Sequence, residues 1–331
     1  MQGNKLLVTF SPHERDDLRT DKVMLYVIYA LIPAMGVSIY YFGFYAIKTY
    51  LLTIIFTLGF EYLFQKISKR PVSLNDNSAL VTAILLAMNL PPNSPWWLIC
   101  VGSFVAIIIG KQVFGGLGQN PFNPALVARV FLLISWPAQM TNWIKPNPIT
   151  KSFIFDAVST ATPLGASKTE VLTYGKIVSE NLANTSSLFL GNVGGSLGEI
   201  SALAIIIGGL FLLYKRIISW HIPLSYIVAF LIIVVPYWFF APEKTLDPIA
   251  HLFSGGLMLG AFFMATDMVT SPVTKRGQLI FGAGCGILTA VIRLFGGYPE
   301  GVSFAILLMN ATVPLIDYYI RPKSFGEVES E

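Results

Sequence analysis

The chain has 331 residues, of which 54% are apolar and 12% are charged. Soluble domains carry roughly twice that charged fraction. The composition therefore excludes disordered, collagenous and disulfide-stapled proteins, and it indicates a protein that crosses a membrane several times. The 22 basic and 18 acidic residues leave a net charge of +4, too small to indicate a nucleic-acid partner.

Ten apolar segments follow a polar N-terminal tail, residues 1–22. The first, 23–47, is too long for the core of a signal peptide and is predicted to be a retained span. Several of the others are shorter than the roughly 20 residues that a span needs. One of these, 78–92, ends in two prolines, which favours broken or re-entrant helices. The other nine predicted segments are 49–64, 78–92, 96–110, 122–136, 200–214, 217–240, 249–269, 278–295 and 301–320.

Basic residues lie mostly on one side of these segments. With the N-terminus inside, 14 basic residues fall inside and 3 in the short outside loops. Lysine and arginine are enriched in cytoplasmic loops. Both termini are therefore predicted to be cytoplasmic and the long 137–199 connection external. The 14 are Lys5, Arg15, Arg19, Lys22, Lys66, Lys69, Arg70, Lys111, Lys215, Arg216, Lys275, Arg276, Arg321 and Lys323, and the 3 are Lys48, Lys244 and Arg293.

The segments divide five and five around the 137–199 connection, and a faint repeat matches this division. Phe114-Gly115-Gly116 recurs as Phe295-Gly296-Gly297, each before the last segment of its half. An odd number of segments per half makes such a repeat inverted. The predicted fold is an all-α polytopic membrane protein with about ten transmembrane segments in two inverted five-segment repeats. Its parts are the tail 1–22, the first membrane repeat 23–136, the external connection 137–199, the second membrane repeat 200–320 and the tail 321–331.

Three further groups of residues are predicted to be structural. Gly208-Gly209 and Gly255-Gly256 lie within or beside apolar runs, where close helix packing explains them. Cys100 and Cys285 lie in apolar stretches and are predicted to be small buried side chains, because an iron–sulfur cluster needs four ligands. The three histidines are His13, His221 and His251. They are too scattered in the sequence to form a metal site, and no metal site is predicted.

The external connection contains the densest motif of the chain. It reads Asp156-Ala157-Val158-Ser159-Thr160-Ala161-Thr162-Pro163-Leu164-Gly165. Taken alone, it is a loop of small residues with exposed hydroxyls, which a plain turn would explain. The pattern Asp-x-x-Ser/Thr-x-Ala-Thr resembles the flavinylation motif of the NqrB/RnfD family. Members are membrane subunits of the sodium-pumping NADH:quinone reductase and of the ferredoxin:NAD oxidoreductase (Rnf) complex.

Four other stretches resemble segments of the same family. With the loop, they cover the chain from about residue 70 to residue 322. The short N-terminal tail favours an Rnf-type member over the quinone-reductase type, which usually has a longer tail. The four stretches are 118–125 with 135–137, 191–199, 265–272 and 293–301.

The resemblance implies a covalent flavin in the external connection. In the family, a separate flavin transferase uses FAD to esterify the last threonine of the motif to the phosphate of FMN. Thr160 stands where many members have Gly, which leaves two candidate threonines. The family's attachment point follows Ala161, so Thr162 is the predicted site, and Asp156 and Ser159 complete the motif. A second, non-covalent flavin, riboflavin, is also implied.

The resemblance further implies a flavin-carrying electron-relay subunit. Its complex, a translocase of the EC 7 class, couples electron transfer between ferredoxin and NAD to Na⁺ or H⁺ translocation in the bacterial cytoplasmic (inner) membrane. The chain has neither an NAD fingerprint nor cluster ligands, so it is expected to relay electrons and not to be catalytic alone. The implied partners are membrane lipid, the flavin transferase, RnfA, RnfB, RnfC, RnfE and RnfG. The alternatives are an NqrB-type subunit and a channel or transporter of inverted-repeat fold.

Polar residues within the apolar segments are candidates for a second site. Ionisable groups are costly in hydrocarbon and usually face the interior or a polar cavity. Helix capping and interhelical hydrogen bonds are the alternative explanation. Arg129 either stabilises a reduced, anionic flavin or pairs with a carboxylate such as Glu61. The ionisable residues are Glu61, Arg129, Asp267, Arg293 and Asp317, and the candidate intramembrane flavin or ion site is Asn89, Asn123, Arg129 and Asp267.

Overall fold

A computed structural model describes residues 19–150, 158–179 and 185–321. Within these ranges nearly all of the regular secondary structure is helical. The elements are α1 (Thr20–Phe42), α2 (Phe44–Ile67), α3 (Ser78–Met88), α4 (Trp96–Gln112), α5 (Pro124–Ser135), α6 (Pro137–Met140), β1 (Trp143–Ile144), β2 (Ser159–Thr160), α7 (Pro163–Tyr174), α8 (Thr185–Leu190), α9 (Ala202–Tyr214), α10 (His221–Phe240), α11 (Pro248–Phe253), α12 (Leu257–Met264), α13 (Lys275–Phe295) and α14 (Val302–Tyr319), with short 3₁₀ turns at Leu74–Asp76 and Pro242–Lys244.

Five helices of the described chain are long and apolar enough to cross a membrane: α1, α2, α10, α13 and α14. A sixth candidate span is a bent pair, in which α11 with its preceding 3₁₀ turn meets α12 at 44°. Four apolar helices are shorter: α3, α4, α5 and α9. The prediction of a polytopic helical membrane protein is therefore confirmed, and the break of the bent pair, between Phe253 and Leu257, falls within the predicted segment 249–269.

The first two predicted segments divide at a different residue. The sequence predicted one span over 23–47 and another over 49–64. Instead, α1 ends at Phe42, Gly43 adopts a φ of 53°, and α2 begins at Phe44. A positive φ is inexpensive for glycine, and a lone glycine inside an apolar run does not interrupt its hydropathy. Lys48, predicted to lie in an outside loop, is consequently part of α2.

The 137–199 connection departs slightly from the all-α prediction. The two-residue strands β1 and β2 pair antiparallel, with Trp143 opposite Thr160 and Ile144 opposite Ser159. The Cβ of an alanine at Gly194 would overlap the methyl group of Thr160. This ladder is too short to show as an alternating sequence pattern, and it fixes the backbone that leads into α7.

Glycines let several helices approach closely. In α13, a Cβ at Gly282 would lie 2.7 Å from the carbonyl oxygen of Ile222, and one at Gly286 would overlap the carbonyl of Tyr226, both on α10. Small residues four apart permit such close contact between membrane helices. A Cβ at Gly208 would overlap the carbonyl of Ala30 on α1, and one at Gly209 would overlap the ring of Phe262. The predicted packing role of the 208–209 pair is confirmed.

The second predicted glycine pair is not a helix-packing site. Gly255, with a φ of 62°, and Gly256 form the turn between α11 and α12. This turn is surrounded by charged side chains, as described below. Of the two cysteines, Cys285 is buried as predicted, whereas Cys100 is only half-buried.

Candidate functional site

Thr162 is the N-cap residue of helix α7, which begins at Pro163. Its hydroxyl oxygen Oγ1 accepts a hydrogen bond from the backbone N–H of Gly165, at 3.1 Å, and the residue is 7% exposed. Pro163 occupies the first helical position, where a missing N–H is tolerated. Threonine is a favoured N-cap because its oxygen satisfies one of the free N–H groups of the first turn. The predicted attachment residue is therefore also the cap of a 12-residue helix.

The N-terminus of α7 suits a phosphate. The helix dipole and the first-turn N–H groups favour negative charge at this end. Ala161, the residue before Thr162, is exposed to solvent. The residues present therefore fit a phosphoester on Oγ1, with the phosphate outside the first turn of the helix.

The other motif residues differ in their surroundings. Ser159 is exposed, and its hydroxyl lies 3.1 Å from the Asn142 side-chain oxygen. Thr160, the second candidate threonine, lies in β2 with its methyl group against Gly194. Asp156 lies outside the described residues.

Helix α7 contacts residues at the C-terminal ends of α11 and α13. The Nζ of Lys168 donates to the carbonyl oxygens of Arg293, at 3.2 Å, and Tyr298, at 3.0 Å. Partial burial lowers the pKa of Lys168. The turn at Gly255 lies between Leu164 and Arg293, so that an added Cβ would lie 3.0 Å from the first and 2.9 Å from the second. These contacts fix the position of Thr162 relative to α11 and α13.

Arg129 is the centre of a buried polar cluster beneath this turn. Its Nη1 donates to the Oδ1 of Asn89 at 2.5 Å, and its Nη2 donates to the Oε1 of Glu199 at 3.1 Å and to the Oε2 of Glu300. The side chains of Arg129 and Glu199 are 6% and 3% exposed, and that of Glu300 is 14% exposed. Asn89 and Arg129, two residues of the predicted intramembrane site, are therefore in direct contact. Arg129 pairs with carboxylates, which was one of its two predicted roles, but these are Glu199 and Glu300 and not the suggested Glu61.

Glu199 reaches this cluster because the loop before α9, which carries it, packs against the C-terminal end of α3 at Met88. The N–H of Leu197 donates to the carbonyl of Leu90 at 3.2 Å, and the N–H of Gly198 donates to the carbonyl of Met88 at 2.7 Å. A helix that ends inside a membrane protein leaves carbonyls that need partners. The loop supplies them and carries the carboxylate of Glu199 to Arg129.

Asn123 and Asp267 lie together at a different place. Both line a cavity of about 90 Å³ with mostly apolar walls, to which Asn120, Thr266 and Lys111 also contribute. The Oδ1 of Asn123 caps α5 by accepting from Ala125 and Leu126, and its Nδ2 donates to the carbonyl of Met264 at 3.3 Å.

Asp267 also has a capping role. It accepts hydrogen bonds from the N–H of Val269 and the hydroxyl of Thr270, at 3.3 and 3.2 Å. Within the described chain, the four predicted intramembrane residues thus divide between the Arg129 cluster and this cavity. The capping explanation describes Asn123 and Asp267 well, although both also face the cavity.

Glu61 pairs with Lys111, which the sequence had placed in an inside loop. Lys111 lies in the π-helical end of α4, Val105–Gln112, and is 2% exposed. Its Nζ donates to both carboxylate oxygens of Glu61, at 2.8 and 3.0 Å, and to the hydroxyl of Ser78 at 2.7 Å. Gln112 adds a further donor to Glu61 at 3.0 Å. A buried charge needs this degree of pairing.

Glu199, Glu300 and Lys111 were not predicted as site residues. Glu199 and Glu300 both stand in stretches that resemble the family, 191–199 and 293–301, which was the available signal. Neither has a charged partner near it in sequence, so the pairing with Arg129 could not be read locally. Among the described residues, no group of three or more His, Cys, Asp or Glu side chains is arranged to hold a metal ion.

The sequence model of the NQR2, RnfD, RnfE family matches residues 7–326. The chain belongs to the NQR2, RnfD, RnfE family. Family membership, predicted from the motifs, is confirmed, and the match spans nearly the whole chain, including the Thr162 loop and the Arg129 cluster.

Three relatives, each the RnfD-type component of its complex, illustrate the similarity. The component of the Na(+)-translocating ferredoxin:NAD(+) oxidoreductase complex of Acetobacterium woodii is 49% identical, covering 98% of this chain and 97% of the relative. That of the proton-translocating ferredoxin:NAD(+) oxidoreductase complex of Clostridium ljungdahlii is 44% identical, covering 98% of each. That of the ion-translocating oxidoreductase complex of Escherichia fergusonii is 42% identical, covering 96% of this chain and 98% of the relative. These names describe parts of oxidoreductases and agree with the redox interpretation of the motif.

Proposed function

We propose that this chain is the RnfD-type, electron-relay component of a membrane complex that transfers electrons between ferredoxin and NAD and couples this transfer to the translocation of Na⁺ or H⁺. The observation that carries the proposal is near full-length similarity to components of complexes with this function in their names, at 49% and 44% identity. The chain acts within the complex and not alone.

Covalent FMN on Thr162 provides the relay. Thr162 Oγ1 attacks the phosphorus in the FMN half of FAD, the pyrophosphate P–O bond breaks, AMP leaves, and the hydroxyl proton passes to a base of the flavin transferase. Bound FMN supplies one- and two-electron redox chemistry. The N-terminus of α7 supports this proposal because it favours the negative phosphate.

Thr162 is better suited than Thr160 to receive the flavin. Thr162 is at a helix N-terminus and next to the exposed Ala161, whereas the side chain of Thr160 packs against Gly194. Since Thr162 is 7% exposed, the transferase must loosen the first turn of α7 to reach its hydroxyl.

A second, non-covalent flavin, riboflavin, is part of the proposal, and we assign it to the cavity lined by Asn123 and Asp267, which must open beyond its volume of about 90 Å³ to admit the flavin ring. Its walls are mostly apolar, with few convergent polar groups, which is typical of sites for uncharged aromatic ligands. Riboflavin has no phosphate, and so it needs no helix N-terminus there. Asn123 and Asp267 would contribute an amide and a carboxylate to its orientation.

The membrane arrangement follows the basic residues. Ten segments in two inverted repeats, 23–136 and 200–320, place both termini in the cytoplasm and residues 137–199 outside the cytoplasmic (inner) membrane. The five long helices, the bent pair and the four short apolar helices of the described chain are compatible in number with ten segments. The partners are RnfA, RnfB, RnfC, RnfE and RnfG, with the flavin transferase acting during maturation.

Two threonine variants test the flavin site. Thr162→Ala is expected to abolish covalent flavin on the chain, because no oxygen remains to carry the phosphoester. Thr160→Ala is the matched control and is expected to keep it. The measurement is in-gel fluorescence after denaturation in SDS, with mass mapping of peptides across 152–168. A fluorescent band that persists in Thr162→Ala, or a flavin mapped to another residue, would contradict the proposal.

A further inference from the structure

Two carboxylates meet at one nitrogen in the Arg129 cluster. Glu199 comes from the loop before α9 and Glu300 from the turn between α13 and α14, and both accept from Nη2 of Arg129. Their oxygens therefore lie next to each other in a largely buried place. Asn89 occupies the other terminal nitrogen of the guanidinium.

With both carboxylates ionised, the cluster would contain more negative charge than Arg129 alone can neutralise. In the part of the chain that the structure describes, a second cation, Arg293 on α13, also acts on the cluster. Its Nη1 and Nη2 donate to the carbonyls of His251, at 2.7 Å, and Ser254, at 3.0 Å, in place of a carboxylate. The ring of His251 is bound to the hydroxyl of Thr245 at 2.8 Å. Like charges held together disfavour the ionisation of both.

The Arg129 cluster is close to helix α7, whose N-cap is Thr162. A Cβ added at Gly256 would lie 3.4 Å from both Arg129 Nη1 and Glu199 Oε1. A Cβ added at the preceding Gly255 would lie 3.0 Å from Leu164, in the first turn of α7. This two-glycine turn therefore lies between Glu199 and the first turn of α7.

We propose that Glu199 and Glu300 form a proton-binding site that holds one shared proton near neutral pH, and that its occupancy is coupled to the charge of the flavin on Thr162. The coupling rests on the proposed function; the proton site does not. When electrons reach the flavin from reduced carriers of the complex, a pair that is still unprotonated takes one proton from water and forms an O–H bond at a carboxylate oxygen. When the electrons leave, that bond breaks and the proton returns to water.

The electrostatics of Glu300 agree with this geometry. Burial, and secondly the charge of Glu199, raise the pKa of Glu300 to about 7. A group with this pKa changes its protonation near neutral pH, where small changes in nearby charge have a large effect. Because coupling between two sites is reciprocal, protonation of the pair in turn favours reduction of the flavin.

Infrared spectroscopy of the purified complex tests the proton site. The C=O stretch of a protonated carboxylic acid is expected to titrate near neutral pH in the wild type and to be lost in Glu300→Gln. In Glu199→Gln, the titration of Glu300 moves to lower pH by about one unit or more, because the neighbouring negative charge is gone. Glu243→Gln, at an exposed carboxylate, is the control. Absence of a band that depends on both Glu199 and Glu300 would overturn the proton site.

A redox titration of the covalent flavin tests the coupling. Its midpoint potential is expected to fall more steeply between about pH 6 and 8 in the wild type than in Glu300→Gln, because the carboxyl contributes proton uptake. Parallel curves would overturn the coupling. Absence of covalent flavin would instead contradict the proposed function, while leaving the infrared test of the proton site intact in the same protein.

Discussion

A single side chain, Thr162, has two tasks at the start of α7. Its Oγ1 accepts from Gly165 N and so caps the helix, and in our proposal the same oxygen carries the phosphate of FMN. The ester keeps an oxygen at the cap position and adds negative charge where the helix dipole favours it. Attachment of FMN is therefore compatible with the N-cap of α7.

Because Gly165 has no side chain, it leaves room for the Oγ1 atom of Thr162. A Cβ at Gly165 would lie 2.9 Å from Thr162 Oγ1, closer than normal packing permits. We expect Gly165→Ala to reduce flavin per chain several-fold, measured by in-gel fluorescence. Folding is expected to be retained, because alanine in a helix is favoured over glycine by about 0.5–1 kcal/mol.

The matched control for Gly165→Ala is Gly36→Ala. A Cβ at Gly36 meets no atom within 4 Å, so flavin attachment is expected to stay at the wild-type level. Equal flavin content in both variants would show that space at Oγ1 is not required.

At the scale of elements, the π-helical end of α4 brings Lys111 to Glu61. The sequence predicted the apolar run 96–110 well, but it placed Lys111 in a loop because the run ends there. The helix instead continues to Gln112 and encloses Lys111 beside α2 and α3. Long-range pairing of this kind leaves no local periodic signal, which also explains why the partners of Arg129 were not predicted.

Removal of Lys111 alone leaves the carboxylate of Glu61 buried without its cation. We expect Lys111→Met to lower the free energy of unfolding by about 3–5 kcal/mol, seen as a lower Tm of the protein in detergent. The double variant Lys111→Met with Glu61→Gln should recover most of this loss.

The exposed pair Arg19 and Asp21 is the control for the buried pair. Its atoms are 3.5 Å apart, and its side chains are 77% and 39% exposed. We expect little change of Tm in Arg19→Met, since exposed ion pairs contribute little. A similar Tm for Lys111→Met and wild type would refute a stabilising role of the buried pair.

At the scale of the molecule, much of the fold could be predicted because apolar runs identify membrane helices. The second half of the chain follows the predicted segments closely, for example α13, Lys275–Phe295, against 278–295. The predicted helix boundaries are wrong where a break lies inside a uniformly apolar run, as at Gly43. The predicted contacts are incomplete where loops that are distant in sequence meet. Glu199 and Glu300 are 101 residues apart and converge only because the loop before α9 closes the broken end of α3.

The central claim is that electrons pass through this chain by way of the flavin on Thr162. Its most direct test is ferredoxin-dependent reduction of NAD⁺ by membranes that contain the complex, with equal amounts of assembled complex in wild type and Thr162→Ala. We predict that the wild type reduces NAD⁺ and that Thr162→Ala, lacking the covalent flavin, does not. Reduction of NAD⁺ at the wild-type rate by the flavin-free variant would contradict the account.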